Sequence, residues 1–246
     1  MNSLSKVLLP LDTDTEGRAL EWAGLLAQEV GGFKVGLELV NAVGFGVFDA
    51  LKAQAGGDAR VFYDCKLLDI PNTVAGAVRA IGRRGVWMMN VHASGGREMM
   101  QAAVRASAQG AGEAGVARPL VIAVTVLTSM DAETLRSELR VMAPVAEYVT
   151  HLARLAQDSG CDGVVASPLE IARIRAACGP EFVIVTPGVR PAGSDVGDQK
   201  RVMTPGEAAD AGADYLVVGR PITGADDPVA AARAVNAEVG TPRPPS

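Results

Sequence analysis

Short apolar runs recur along this chain at intervals of roughly 25 to 30 residues, each closing on a polar residue or glycine. This spacing predicts strands near Val7–Leu11, Phe33–Gly36, Val61–Asp64, Met88–His92, Leu120–Val126, Gly163–Ala166, Phe182–Thr186 and Tyr215–Val218. The segments between them carry apolar residues at helical spacing, as in Ala19, Trp22, Ala23, Leu26 and Ala27. Helix starts are marked by Thr204-Pro205 and by Asp226 through Pro228. A βα unit repeated eight times can close into a barrel or spread into a doubly wound sheet, and eight units in 246 residues favour closure.

The charges point the same way. Asp12, Lys34, Asp64, Lys66 and His92 fall at or just past the carboxyl ends of the first four runs. A barrel gathers those ends at one mouth, whereas an open sheet would scatter them. The expected fold is therefore an α/β (β/α)8 TIM barrel, a single domain over 1–240 followed by a Pro-rich disordered tail over 241–246. Gly110 through Pro119, rich in Gly and Ala, reads as a surface loop, and Pro187 to Arg201 as a mobile lid after the seventh strand.

A net charge of -5 gives no general basic face, which argues against nucleic acid or an anionic membrane as partner. Cys65, Cys161 and Cys178 are widely spaced, with no C-x-x-C pair for zinc or redox chemistry, and read as reduced thiols. No apolar stretch approaches spanning length and the start lacks a signal-peptide pattern, so the expected location is cytoplasmic.

Asp64 and Lys66 are two apart, so on a continuing strand both side chains face the mouth and Cys65 faces away. In isolation such a pair is a solvated ion pair. His92 reads as a hydrogen-bonded structural residue, His151 as a helix-surface residue, Trp22 and Trp87 as packing, and Met99-Met100 as helix-face residues. No metal site is expected.

The run Asp64-Cys65-Lys66-Leu67-Leu68-Asp69-Ile70-Pro71-Asn72-Thr73 has the D-x-K-x-x-D-I-x-x-T pattern and resembles the orotidine 5′-monophosphate decarboxylase family. Further elements stand in that family's order: Asp12, Lys34, Leu127-Thr128-Ser129, Thr186 through Pro191 with Gly197-Asp198-Gln199 following, and Val218-Gly219-Arg220-Pro221. The resemblance spans almost the whole chain. It implies a cofactor-free homodimeric enzyme of pyrimidine biosynthesis that converts orotidine 5′-monophosphate to UMP and CO2. It implies a catalytic network of Lys34, Asp64 and Lys66, with Asp69 supplied by a partner subunit and Lys66 as proton donor to C6. Asp12 would hold ribose hydroxyls, and Thr128 or Ser129 the pyrimidine. Ile70 and Thr73 would reach across the interface, while Pro187, Arg190, Gln199, Gly219 and Arg220 would line or hold the phosphate end.

The chemistry is consistent with those residue types. Loss of CO2 from C6 leaves charge on a vinylic carbon with no internal sink, so a fixed ammonium that stabilises the carbanion and then protonates it meets both needs. Phosphate at the loops after strands seven and eight suits a barrel of this kind. A sibling barrel with the same D-x-K-x-x-D core, a magnesium-dependent sugar-phosphate decarboxylase or aldolase, is the alternative. Such relatives carry a metal-ligating carboxylate where this chain has Lys34. A catalytically silent nucleotide-binding protein on the same scaffold is the reading from another class.

Overall fold

The computed structural model describes residues 5–57, 59–191 and 203–240. Eight parallel strands close on themselves in sequence order. They are β1 (Val7–Pro10), β2 (Gly32–Val35), β3 (Val61–Leu67), β4 (Met88–His92), β5 (Leu120–Val124), β6 (Gly163–Val165), β7 (Val183–Pro187) and β8 (Tyr215–Val217). Closure is direct, with Leu8 of β1 paired to Val217 of β8 and to Gly32 of β2. The expected barrel is the observed one. No helix among the described residues is long and apolar enough to cross a membrane.

The outer layer comprises α1 (Glu16–Leu26), α2 (Leu37–Val43), α3 (Val47–Ala55), α4 (Pro71–Gly82), α5 (Gly96–Ala114), α6 (Ala132–Ser137), α7 (Val145–Asp158), α8 (Ile171–Cys178), α9 (Pro205–Asp210), α10 (Arg220–Thr223) and α11 (Pro228–Val239). Both start signals function as read. Thr204 and Glu207 cap each other across the first turn of α9, and Asp227 Oδ1 accepts the Ala230 N–H at 3.0 Å at the start of α11.

Strand alternation divides the core in two. Leu8, Phe62, Met88, Ile122, Val185 and Val217 point inward and fill the barrel, while the alternate residues, such as Val61, Tyr63, Met89 and Ile184, pack against the helices. This apolar plug lies below the mouth, so the next inward positions, Asp64 and Asn90, stand on a dry floor. Met99 and Met100 are fully buried on α5, Trp22 packs on the core, and Trp87 lies edge-on to Tyr215. His151 is exposed on α7.

The expected loop over Gly110–Pro119 is corrected: α5 continues through Ala114, and only the residues after it are irregular. The small side chains that suggest a loop serve close helix packing instead. A Cβ at Gly110 would stand 2.2 Å from Arg79 O on α4, and one at Gly82 would stand 3.0 Å from Ser107 O on α5. The tail over 241–246 and most of the expected lid lie outside the described residues. The lid's described flanks meet, with Val189 bridged to Met203 and Arg190 N–H donating to Met203 O at 3.0 Å.

Candidate active site

The strand ends surround a cavity of about 540 Å3 at the carboxyl face of the barrel. Asp12, Lys34, Asp64, Lys66, Thr128, Pro187, Arg190, Gly219 and Arg220 all line it. Elements remote in sequence thus converge as the charge positions suggested. Ser129 is exposed on the turn after β5 and is not among the lining residues, so of the two adjacent hydroxyls it is Thr128 that faces the cavity. Asp69, Ile70 and Thr73 are exposed on the turn into α4 and at its start, and Gln199 lies outside the described residues. Asp69 Oδ1 accepts the N–H of Ile70 at 2.6 Å.

Four charges of alternating sign form a line. Asp12 Oδ1 is 3.3 Å from Lys34 Nζ, Lys34 Nζ is 3.4 Å from Asp64 Oδ2, and Asp64 Oδ1 accepts from Lys66 Nζ at 2.7 Å. Side-chain exposure is 65% at Asp12, 12% at Lys34, 13% at Asp64 and 33% at Lys66, so the Lys34–Asp64 pair is the one most shielded from solvent. Burial alone would raise the Asp64 carboxyl. The Lys34 and Lys66 ammonium groups, with hydrogen bonds from Lys66 and Asn90, outweigh it and hold the group below its usual range. His92 sits beside this line. Burial lowers its imidazole and Lys66 lowers it further, against a smaller opposing effect of Asp64.

The geometry of β3 departs from simple alternation. Tyr63 pairs with Met89 and Leu67 with Val91, so Asp64, Cys65 and Lys66 oppose Asn90 alone. Lys66 takes a left-handed φ of 49°. Such a backbone costs a long L side chain about 1–2 kcal/mol and needs external support. Cys65 stays buried and faces away as expected. Burial pushes its thiol up to about 11, and Sγ donates to Asn90 O at 3.1 Å. Asn90 itself was not singled out by the sequence. The available signal was a lone amide in the apolar run Met88-Met89-Asn90-Val91.

At the opposite side of the cavity, Gly219 packs so closely under β1 that a Cβ would meet Pro10 Cγ at 2.7 Å. Arg220 follows as the first residue of α10. Arg190, only 9% exposed, is anchored through Nη1 to Val189 O at 2.8 Å.

Residues 5–235 match the sequence model of the orotidine 5′-phosphate decarboxylase / HUMPS family. The chain belongs to this family. Orotidine 5′-phosphate decarboxylases from Moorella thermoacetica and Trichlorobacter lovleyi are 54% and 52% identical to it, over 97% and 96% of this chain and 94% and 95% of theirs. The crystal structure of orotidine 5′-phosphate decarboxylase from Lactobacillus acidophilus superposes with a TM-score of 0.83 at 38% identity, covering 96% of this chain and all of that one.

Proposed function

We propose that this protein decarboxylates orotidine 5′-monophosphate to UMP, with Lys34, Asp64 and Lys66 at the reacting carbon and the phosphate held by Gly219, Arg220 and Arg190. The observation that carries the reading is the Lys34–Asp64–Lys66 line in the same cavity as two arginines. Orotidine 5′-monophosphate has its carboxylated ring and its dianion at opposite ends, and this cavity offers lysines at one side and arginines at the other.

In this mechanism Lys66 stabilises the developing C6 carbanion and then donates the proton that replaces CO2. Asp64 holds the Lys66 ammonium in place, and Lys34 prevents Asp64 from turning away. Asp12 and Lys34 offer an acceptor and a donor to the ribose hydroxyls, and Thr128 offers a hydroxyl to the pyrimidine edge. Gln199 completes the phosphate contacts. Asp69, turned outward with Ile70 and Thr73, serves the site of a second subunit in a homodimer. Binding energy from the dianion drives closure over the cavity and so accelerates chemistry at the other end.

The reading needs no metal, and Lys34 occupies the place where a magnesium-dependent relative needs a carboxylate. The test is the loss of orotidine monophosphate absorbance on adding purified, EDTA-treated protein. Stoichiometric UMP and CO2 are expected. Activity that disappears with EDTA and returns with Mg2+, or no turnover of this nucleotide, overturns the proposal.

A further inference from the structure

Asn90 is the one β4 residue opposite the three-residue bulge of β3, and it is bonded to each of the three. Its Nδ2 donates to Asp64 Oδ1 at 2.6 Å, its Oδ1 accepts the Lys66 backbone N–H at 2.7 Å, and its carbonyl accepts the Cys65 thiol at 3.1 Å. We propose that Asn90 is a positioning residue for decarboxylation, holding the bulge in the shape that aims the Lys66 ammonium at the reacting carbon. This rests on the assignment of Lys66 and Asp64 to that carbon.

Three features carry the inference. First, the side chain is fully buried, so its donor and acceptor must both be satisfied by protein, and the bulge satisfies both. A backbone N–H on one side and a carboxylate on the other also fix which way the amide points. Second, the bond to the Lys66 N–H supports the residue whose backbone sits at φ 49°. Third, Asn90 Nδ2 and Lys66 Nζ share Asp64 Oδ1, which leaves Oδ2 for Lys34 at 3.4 Å. Rotation of the carboxylate would break contacts with three groups at once. An apolar residue of similar size at this position could fill the space but would release both the strained backbone and the carboxylate rotamer.

The test compares the full-length wild-type protein with Asn90→Ala, Asn90→Asp and Lys66→Ala. For Asn90→Ala, kcat falls about 30-fold or more while the Kd for UMP, measured calorimetrically, stays within about threefold, because ground-state binding does not depend on the aim of Lys66. Asn90→Asp keeps the acceptor for the Lys66 N–H but, when ionised, sets a second carboxylate against Asp64. The charged groups around it are Asp64 and Lys66 from β3, Lys34 from β2, Asp12 beyond β1 and His92 on β4. Its kcat relative to wild type therefore rises as pH falls and the introduced carboxyl gains a proton and becomes a donor.

An Asn90→Ala protein with kcat within about threefold of wild type overturns the inference, as does a loss of UMP affinity that keeps step with the loss of kcat. If Asn90→Ala does not fold, the near-isosteric Asn90→Asp decides, and a pH-independent ratio to wild type overturns the proposal. Lys66→Ala separates the two levels: an active Lys66→Ala protein sinks the assignment on which this inference stands, whereas an inactive one beside a fully active Asn90→Ala sinks the inference alone.

Discussion

Lys66 Nζ and Asp64 Oδ1 meet at 2.7 Å across a backbone that is not a regular strand, because Lys66 itself lies at φ 49°. The contact is made within the irregular stretch of β3 where Asp64, Cys65 and Lys66 face Asn90 alone.

On the proposed mechanism, removing the Lys66 ammonium takes away both the carbanion stabiliser and the proton donor. Lys66→Ala is expected to lower kcat by several powers of ten, on the order of 5 kcal/mol or more of transition-state stabilisation, with an unchanged circular dichroism spectrum. Near wild-type turnover would rule out the mechanism.

Arg220 faces the cavity from the first turn of α10. Arg220→Ala should raise KM strongly and also lower kcat, because a dianion contact that drives closure contributes to both. Steady-state kinetics check this, and unchanged turnover would place the phosphate elsewhere.

Asp69 is exposed on the turn into α4, so the shared-site reading has a test that a self-contained site cannot imitate. Lys66→Ala and Asp69→Ala proteins are mixed and allowed to exchange subunits under mild denaturant. In a two-fold dimer about half the assemblies become mixed, each with one intact site, so about a quarter of wild-type activity should return. If mass spectrometry confirms exchange while activity stays at the level of the separate variants, Asp69 acts within its own chain.

His92 gives a direct probe of the charged line. With its imidazole held low by burial and by Lys66, its NMR titration midpoint is expected below the usual value of about 6.5. In Lys66→Ala it should move upward, since a like charge has gone. A group whose folded pKa is lowered binds its proton more readily when unfolded, so this histidine contributes stability above about pH 6.5 that is lost as pH falls through the lowered value. A midpoint that does not change in Lys66→Ala would show that the two groups do not interact.

The two glycines near the end of α5 should respond oppositely. Gly110→Ala forces a Cβ toward Arg79 O at 2.2 Å and is expected to destabilise by about 1–3 kcal/mol. Gly112→Ala, with nothing within 4 Å, should be neutral or stabilising by up to about 1 kcal/mol. Denaturant unfolding measures both, and equal effects would contradict the packing account.

The sequence determined the architecture because strand and helix periods, capping residues and the run of polar strand ends are local properties of the chain. Eight apolar runs fixed the number of strands, and Asp12, Lys34, Asp64 and Lys66 at the ends of the first three marked the face of the barrel at which the cavity opens. What it left undecided depends on contacts between distant segments. Gly110 reads as a loop residue until Arg79 is seen against it, and Thr128 cannot be distinguished from Ser129 until the turn after β5 shows which one faces the cavity. Asn90 is a minor irregularity in an apolar run until β3 and β4 pair, and its importance comes from a register shift that no single strand encodes. Tertiary structure decided these points because close approach, side-chain direction at a turn and the support of a strained backbone each require a partner from elsewhere in the fold.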